Sequence, residues 1–407
     1  MGMNIAGLLE NSAARTREFP ITAERTFLAH AATSPLPRRV SAAIRDYVDR
    51  AASEGQWEFL HSGIEKDTRE YAAAILGASE DEIAFVSSTS MGLSLIASGL
   101  GWREGDNVVV ADGDFPSNIY PWVNLGKRGV RTKLIPRNGD GSVTTREVRG
   151  AVDSRTRLVS LSSVNFVTGF KIDVDAIGEY LQRQGILFCV DAVQSLGAVP
   201  IDVRYIDFLA SSAHKWLLGP LGIGILYVKR ERLDSLHPVL AGWKCVECSK
   251  DYLKYDLSFL ESARRYEPGA FSIVCLFGLH AALELLLEVG TDSVAARLAS
   301  LREILVSSIK DKGYDVIGPA FPGQSSGITS FTSDNLDVVS LRQDLDDHGF
   351  IVSLRDSLDG RKCIRVSPHF YNTEDEIFRF IGALPRCRGY SRVDAVVRSE
   401  QLAGEAR

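Results

Sequence analysis

The feature that most constrains the fold is a regular alternation between short apolar runs and segments with helical periodicity. The apolar runs predict strands at residues 81–86, 107–111, 158–161, 186–190, 206–210 and 222–228. A helical pattern over residues 174–184 stands between two of them. Strands that alternate with helices favour an α/β fold built on a mostly parallel sheet. Because ligands bind such sheets outside the carboxyl ends of the strands, we expect the functional site there.

The C-terminal part of the chain predicts a second, smaller unit. Helical patterns cover residues 283–288, 294–310 and 336–348, and strand-like runs cover residues 328–331 and 362–367. A chain of 407 residues is long enough for two domains with separate cores. We therefore predict a large domain at residues 26–280 and a smaller C-terminal α+β domain at residues 281–387. Residues 1–25 would join the small domain, and residues 388–407 would form a charged tail.

Composition and charge exclude several classes of protein. The net charge of −6 offers no case for nucleic-acid binding. No apolar run reaches the roughly 18 residues of a membrane-spanning helix. The N-terminal residues lack the basic and apolar regions of a signal peptide. Six scattered cysteines favour free thiols in a reducing compartment. We expect a cytoplasmic enzyme with no nucleic-acid or membrane partner.

Two polar residues at the ends of predicted strands carry the chemistry. Asp191 follows the apolar run 185–190, and Lys215 follows the run 205–210 about one strand–helix unit later. Pyridoxal 5′-phosphate (PLP) needs such a pair, because a lysine holds the cofactor covalently and a carboxylate keeps its ring nitrogen protonated. The alternative for Asp191 is an ordinary helix cap. The pair predicts a PLP-dependent enzyme.

Three longer motifs add a family resemblance. They are Val-Asp-Ala-Val-Gln at residues 190–194, Ser-Ala-His-Lys at 212–215 with the glycine-rich run 219–224, and residues 365–374. Over roughly residues 25–385 the chain resembles the class V aminotransferases, a family that includes cysteine desulfurases, kynureninases, isopenicillin N epimerase-like proteins and several C–S lyases. The resemblance implies a fold-type I PLP-dependent transferase fold, in which the large domain holds the cofactor.

The resemblance also implies which residues receive the cofactor phosphate. Thr89 and Ser90 match a pair of small hydroxyl residues with this role, and Ser212 and His214 match further phosphate contacts. A strand-to-helix turn suits an anion, because the helix N-terminus offers free N–H groups. The alternative for Thr89 and Ser90 is a simple helix cap, and a histidine such as His214 is often structural.

Three more residues match positions around the cofactor ring. Asn165 resembles the residue that touches the ring hydroxyl and the substrate region, and Gln194 resembles a second partner for that hydroxyl. The alternative for both is an amide that caps a loop. Phe115 matches the residue that stacks on the ring, where cysteine desulfurases have a histidine. Phenylalanine stacks but cannot transfer protons; the alternative is a core phenylalanine.

Residues 351–365 contain the candidates for substrate binding. Arg365 resembles the arginine that binds the α-carboxylate of the substrate, for which a planar guanidinium is well suited. Arg355 is a candidate second anion contact or an exposed loop arginine. Desulfurases need a nucleophilic cysteine on a mobile loop before that arginine. Here the stretch is short, and its cysteine, Cys363, lies in a predicted strand with its side chain on the same face as Arg365.

The resemblance implies a homodimer with shared active sites. The segments at residues 240–244 and 264–269 match those that family members contribute across the dimer interface, and Trp243 and Ser272 would then reach the partner's phosphate group. Cys245 and Cys248 form the chain's one CxxC pair, but no second pair stands nearby, so we predict no metal site.

From these features we expect a PLP-dependent enzyme acting at the α and β carbons of an amino acid. The favoured interpretation is a C–S lyase that performs β-elimination on a cysteine-derived substrate. An aminotransferase or an amino-acid epimerase is the alternative, because the same residues serve all three reactions. A cysteine desulfurase fits less well, because the mobile-loop cysteine is missing. A non-enzymatic regulatory domain is disfavoured because neither Lys215 nor Asp191 is missing.

Overall fold

The computed structural model describes residues 4–136, 138–319 and 322–387, without the side chains of residues 60, 61 and 322. The predicted tail at 388–407 lies outside these residues. The strands are β1 Thr26–Phe27, β2 Ile83–Val86, β3 Asn107–Ala111, β4 Arg131–Ile135, β5 Thr156–Ser162, β6 Leu187–Asp191, β7 Phe208–Ser212, β8 Gly224–Val228, β9 Asp315–Ile317, β10 Thr329–Thr332, β11 Phe350–Ile351, β12 Ser353–Asp356 and β13 Lys362–Val366.

The helices are distributed along the whole described chain. They are α1 Ile5–Glu10, α2 Ser12–Glu18, α3 Arg38–Ala51, α4 Ile64–Leu76, α5 Thr89–Gly99, α6 Tyr120–Val123, α7 Thr145–Ala151, α8 Val174–Gln184, α9 Ile273–Val289, α10 Thr291–Asp311, α11 Val338–Asp347 and α12 Glu374–Ala383. Within the described ranges no single helix is long and apolar enough to cross a membrane. The one pair that passes such a test jointly, α9 with α10, is bent by 76°.

A seven-stranded sheet organises the larger part of the molecule. Its strand order is β2-β8-β7-β6-β5-β3-β4. Strand β8 runs antiparallel to both of its neighbours, and the strands from β7 to β4 are parallel to one another. The α/β class and the mostly parallel sheet are therefore confirmed. Strand β4 was not expected, because it lies at the sheet edge with two exposed residues and carries charged side chains.

Two apolar clusters cover the two faces of this sheet. Alternate strand residues point to opposite sides, so that Val109, Val159 and Val190 join one cluster while neighbours such as Val108 and Cys189 join the other. Burial of alternating apolar residues on both faces explains why the strands read as continuous apolar runs. The sheet is thus a rigid support for residues at its carboxyl edge.

A second, four-stranded sheet forms in the C-terminal part, with the order β12-β13-β10-β9. Its neighbouring strands are antiparallel, and a separate apolar cluster packs it against α10, α11 and α12. Helix α9 continues through the expected boundary between residues 280 and 281. The division into domains stays a prediction.

The N-terminal segment packs on this C-terminal part of the chain. The ring of Phe19 stacks on Tyr371 at 3.9 Å between centroids. Arg15 forms an ion pair of 2.7 Å with Glu376. Strand β1 pairs in parallel with β11 through Thr26 and Phe350. Residues far apart in sequence are therefore joined next to the small sheet.

Two predicted boundaries differ from the structure near the site. The helix expected from about residue 94 begins at Thr89, because Ser88 accepts a hydrogen bond from the Met91 backbone nitrogen and caps it. The strand expected at 206–210 lies at Phe208–Ser212. The strand therefore ends at Ser212, two residues later than expected and closer to Lys215.

Candidate active site

The carboxyl ends of three neighbouring parallel strands lie side by side in the large sheet. Ser162, the last residue of β5, is opposite Asp191, the last residue of β6. Asp191 is in turn opposite Ala210 in β7, two residues before Ser212 ends that strand. Because parallel strands end at the same sheet edge, their terminal polar residues converge on one place.

Asp191 occupies the centre of this edge and is 1% exposed. Its Oδ1 accepts a hydrogen bond of 2.9 Å from the Val193 backbone nitrogen. Its buried Oδ2 has no hydrogen-bond partner among the residues described. Burial raises the pKa of Asp191, and the nearby carboxylate of Asp114 raises it further. A buried carboxylate oxygen without a donor is costly, so its position suits a ligand that brings a positively charged N–H group.

Asp114 is a component of the site that sequence reasoning did not single out. Its Oδ1 accepts hydrogen bonds from the Phe115 backbone nitrogen at 2.7 Å and from the Ser162 hydroxyl at 2.5 Å. Its Oδ2 accepts from the Asn118 amide at 2.9 Å and the Ser162 backbone nitrogen at 3.1 Å. Burial raises the pKa of Asp114. The carboxylate ties the turn that carries Phe115 to the end of β5. The only signal for Asp114 in the sequence was its position directly before Phe115.

Lys215 lies in a tight turn just after β7 and is 9% exposed. Its backbone oxygen accepts hydrogen bonds from the Ser34 hydroxyl at 2.7 Å and from the Leu218 backbone nitrogen at 3.0 Å. Leu218 has a φ of 58°, a strained conformation for a leucine, which is buried and held inside the turn. The turn therefore fixes the lysine backbone while leaving its amine directed into the site.

The amine of Lys215 is poised for nucleophilic and base chemistry. Burial lowers its pKa; Asp191 opposes that shift, whereas Arg365 and Arg355 reinforce it. A lysine with a lowered pKa has a larger neutral fraction, and only the neutral amine can attack a carbonyl or accept a proton. Its Nζ lies 5.5 Å from the centroid of the Phe115 ring.

Phe115 is exposed at the site rather than buried in the core. Its side chain is 40% exposed, and its ring meets Phe166 edge-on at 5.2 Å between centroids. The interpretation as a core phenylalanine therefore does not describe this residue. An exposed aromatic ring beside the lysine amine can stack on a planar ligand. Its role as the stacking residue stays a prediction.

The predicted phosphate residues gather where α5 begins against the end of β7. Thr89 and Ser212 exchange hydrogen bonds: each backbone nitrogen donates to the other's hydroxyl, at 2.8 and 2.9 Å. The Ser90 hydroxyl lies 2.7 Å from the Ser117 hydroxyl and is exposed. Because Ser88 is the actual helix cap, Thr89 and Ser90 are the first two helical residues, where N–H groups and dipole favour an anion.

His214 stands half-buried between this cluster and Lys215. Burial, and then the charge of Lys215, lower its pKa to about 4. The imidazole is therefore neutral near pH 7. It can donate or accept a hydrogen bond there but brings no positive charge for a phosphate.

Arg365, in β13, is the other buried cation of the site, at 1% exposure. Its Nη1 donates a hydrogen bond of 2.5 Å to the Phe166 backbone oxygen. Its Nε and Nη2 are buried and have no acceptor in the described part of the chain. Burial lowers the pKa of Arg365 to about 9, with Arg355 contributing further. The two unpaired donors lie on one edge of the guanidinium, the fork that binds a carboxylate bidentately.

Cys363 is immobilised in the same strand. Strands β12 and β13 form a hairpin in which Arg355 is opposite Cys363, and the residues between the strands are a tight turn at 357–361. Cys363 is fully buried, and burial raises the pKa of its thiol to about 11. The short stretch is thus a rigid hairpin. Arg355 lies in strand β12 and is half-buried, which corrects the interpretation of an exposed loop arginine.

The two predicted amide contacts are engaged within the protein. The Asn165 side-chain oxygen accepts hydrogen bonds of 3.0 Å from the backbone nitrogens of Val167 and Thr168. Gln194 is 2% exposed; its amide donates to the Ala31 backbone oxygen at 3.0 Å and accepts from the Trp216 indole at 2.9 Å. Both therefore do what the loop-capping alternative expected. Contact with a cofactor hydroxyl stays a prediction for both.

Trp243 and Ser272 lie on the surface. Trp243 is 43% exposed and packs edge-on against Tyr252 at 6.1 Å between ring centroids. Ser272 is exposed at the start of α9, where its side chain caps no helix nitrogen. Cys245 and Cys248 both donate to backbone oxygens. Among the described residues, no three histidine, cysteine or acidic side chains are grouped as a metal site.

The residues present fit PLP on two observations. The unpaired Oδ2 of Asp191 is the kind of buried acceptor that a protonated ring nitrogen requires. Lys215 places in the same site an amine whose lowered pKa favours its neutral form. Arg365 adds two buried donors, Nε and Nη2, that have no acceptor among the described residues. A parallel-sheet fold with these groups at its carboxyl edge defines the class of fold-type I PLP-dependent enzymes.

Comparisons with known proteins agree with this class. The family model for class V aminotransferases matches residues 26–380. A probable cysteine desulfurase of Methanothermobacter thermautotrophicus is 30% identical over 89% of this chain and 94% of its own length. One from Pyrococcus abyssi is 28% identical, with 90% of this chain and 95% of the relative covered. The chain therefore belongs to the class V aminotransferase family, and its cofactor is pyridoxal 5′-phosphate.

A solved structure shows the same architecture. The apo cysteine desulfurase from Thermococcus onnurineus superposes with a TM-score of 0.82 at 26% identity, covering 90% of this chain and 95% of that one. The expectation of a fold-type I PLP-dependent enzyme is confirmed.

Proposed function

We propose that this enzyme is a C–S lyase that performs β-elimination on a cysteine-derived amino acid. The chemistry at cysteine is suggested by its relatives, which are named as probable cysteine desulfurases. The observation that carries the proposal is the burial of Cys363 in a rigid strand. The enzyme would cleave a C–S bond without a protein thiol that collects the sulfur.

Arg365 would hold the substrate by its α-carboxylate. The Nη1 anchor on Phe166 fixes the guanidinium plane, so that the unpaired Nε and Nη2 present a pre-oriented fork. A carboxylate there would satisfy both buried donors in one step. The substrate would then have its α-carbon placed near the amine of Lys215, since Arg365 is close enough to lower the pKa of that lysine.

Lys215 would act as the base that removes the α-proton, because its lowered pKa favours the neutral amine. PLP, when bound, supplies the electron sink for the carbanion that this proton loss creates. Asp191 would keep a proton on the ring nitrogen through its unpaired Oδ2. Phe115 would stack on the ring, and the cluster of Thr89, Ser90, Ser212 and His214 would hold the phosphate.

The overall reaction is a hydrolytic elimination. The α-proton leaves to the base, the Cβ–S bond breaks, and its electron pair departs with sulfur, which is protonated to a thiol. Addition of one water and loss of ammonia convert the three-carbon remainder to pyruvate. An S-substituted cysteine and water therefore yield a thiol, pyruvate and ammonia, without a change of redox state overall.

The burial of Cys363 is the reason for preferring this reaction to desulfuration. A persulfide carrier must attack as a thiolate and then present its sulfur to an acceptor. Here the thiol has a raised pKa, and strand pairing with β10 and β12 holds it in place. Both properties oppose such a role.

The test combines product analysis with Cys363→Ala. The holoenzyme is incubated with a panel of S-substituted L-cysteines, L-cysteine and ordinary amino acids. We expect pyruvate from an S-substituted cysteine, and the same turnover within about threefold in Cys363→Ala. Cys387→Ala, which removes another buried thiol of the C-terminal part, is the packing control. Pyridoxamine formation would indicate transamination, and α-carbon inversion without pyruvate would indicate epimerisation. A persulfide on Cys363, found by mass spectrometry together with lost activity in Cys363→Ala, would restore the desulfurase.

We further propose that the enzyme is a cytoplasmic homodimer whose sites are completed by Trp243 and Ser272 of the partner. The segment around Trp243 exposes several large apolar side chains, among them Leu253 at 83% and Tyr255 at 93%. Exposed apolar groups of this size commonly mark protein interfaces. All six cysteines are free, as is usual in a reducing compartment. Light scattering of the purified holoenzyme tests the dimer, and a monomer at micromolar concentration would refute it.

A further inference from the structure

A second arginine, Arg355, faces the same site as Arg365. In the β12–β13 hairpin, Arg355 is opposite Cys363, and Ser353 is opposite Arg365. Because side chains alternate along a strand, these four residues share one face of the hairpin, and the two arginines are diagonal neighbours on it. Lys215 also lies within electrostatic reach of both guanidinium groups.

Arg355 has no acidic partner in the part of the chain that the structure describes. Its Nη1 donates a hydrogen bond of 2.7 Å to the Leu354 backbone oxygen. The side chain is half-buried, and burial lowers the pKa of the guanidinium. A half-buried cation without a counter-ion is unfavourable in the free protein, as is the fully buried Arg365.

These charges do not balance with an ordinary amino acid as substrate. Neither acidic residue of the site contacts one of the two arginines: Asp114 accepts its four hydrogen bonds from other residues, and Asp191 accepts one from the Val193 backbone nitrogen. One α-carboxylate neutralises one arginine. A monoanionic substrate leaves the second guanidinium unpaired.

The surroundings of Arg355 offer room for a second group. It lines an open cavity of about 720 Å³ between the N-terminal segment and the hairpin, together with Ala32, Thr33 and Ser353. Arg342 is the other charged residue in the lining, and no acidic side chain is among the lining residues described. The cavity is thus positively charged and is large enough for a substrate side chain of several atoms.

We propose that the natural substrate carries a second carboxylate, at the far end of its side chain, and that Arg355 binds it in this cavity. The sulfur atom of this substrate rests on the proposed lyase function, whereas the two anion sites do not depend on it. The substrate class is then an S-carboxyalkyl-type cysteine, with Arg365 on the α-carboxylate and Arg355 on the distal one. Arg355 would set specificity, because a neutral side chain leaves it without a partner.

The first experiment measures binding without chemistry. Calorimetry on the holoenzyme compares succinate, glutarate and adipate with the monocarboxylates of equal chain length, which have no amino group to react. We expect at least one dicarboxylate to bind at least tenfold more tightly than its monocarboxylate partner. Arg355→Gln should reduce this preference to less than threefold, and Arg355→Lys should keep part of it. Lys362→Gln is the control: this residue lies in the same hairpin, faces away from Arg355 and pairs with Asp356 at 2.6 Å, so the variant should retain the preference.

The second experiment separates this inference from the proposed reaction. Pyruvate release is compared for S-methyl-L-cysteine and S-(2-carboxyethyl)-L-cysteine in the wild type and Arg355→Gln. Equal kcat/KM for both substrates in the wild type, with pyruvate formed, would overturn the second anion site and leave the lyase intact. A dicarboxylate preference that depends on Arg355, without pyruvate from any S-substituted cysteine, would support the anion site and refute the lyase. If Arg355→Gln fails to fold, the wild-type preference for dicarboxylates decides: its absence overturns the inference.

Discussion

Replacement of Arg365 tests how the site recognises an amino acid. If Arg365 binds the α-carboxylate as proposed, Arg365→Ala removes both donors of the free guanidinium edge, Nε and Nη2. A hydrogen bond to a charged group contributes about 1.5–3 kcal/mol net, so the pair contributes about 3–6 kcal/mol. Since about 1.4 kcal/mol is tenfold in affinity, the dissociation constant of the substrate should rise at least ~100-fold.

Arg365→Lys separates the contribution of the positive charge from the contribution of the planar, two-donor guanidinium. A lysine keeps one positive charge but cannot offer two parallel donors in a plane. It should therefore lose about one of the two bonds, which is a weakening of roughly 10- to 100-fold. Arg365→Ala should fold, because it removes a buried cation that has no acidic partner in the described chain. Circular dichroism and thermal unfolding check this.

The assay is an absorbance titration of the holoenzyme cofactor with S-methyl-L-cysteine. Lys362→Gln is the matched control, because Lys362 is in the same strand, faces away from Arg365 and pairs with Asp356 at 2.6 Å. It should bind the amino acid as the wild type does. A dissociation constant in Arg365→Ala within threefold of the wild-type value would refute the assignment of Arg365 as the carboxylate site.

Three further predictions follow from the buried titratable groups. Lys215→Ala should fold and bind PLP, but borohydride should no longer fix the cofactor covalently to the protein; a covalent adduct by mass spectrometry would contradict the lysine assignment. Asp191→Asn should retain the cofactor more weakly and slow α-proton exchange by at least ~100-fold, measured by NMR in deuterated water; unchanged exchange would sink the proposed role. Burial lowers the pKa of His369 from 6.5 to about 4, so the unfolded chain takes up a proton first as pH falls. The stability that the neutral, buried His369 contributes is fully present above pH 6.5 and is lost as the pH falls towards 4. The loss in the free energy of unfolding is at most about 3 kcal/mol. Urea titrations between these values should show less decline in His369→Gln, and an equal decline would argue against a neutral buried histidine.

Local patterns in the sequence were sufficient to predict most strands of the large sheet and the use of PLP. Strands such as Asn107–Ala111 and the helix Val174–Gln184 were predicted with their observed bounds, because periodicity and apolar runs are properties of neighbouring residues. Asp191 and Lys215 were identifiable because their chemistry depends on residue type at the end of a strand. The direction of β8 and the existence of β4 were not readable, since strand pairing is decided between distant segments.

The details of the site came from tertiary packing. Asp114 is one acidic residue among many in the sequence, and only the meeting of its loop with the end of β5 gives it four donors. Cys363 was placed in a strand from sequence, but its burial and raised pKa depend on the strands around it.

Arg355 and Arg365 show most directly what each level decides. Sequence supplies two cations ten residues apart and a resemblance that gives Arg365 a role. The hairpin places them diagonally on one face, next to Lys215, with no acidic partner among the described residues. Whether a charge is neutralised depends on which distant side chains fold against it. The sequence by itself therefore determined that this chain is a PLP-dependent enzyme, and the tertiary structure decided which of its arginines are left without an acidic partner among the described residues.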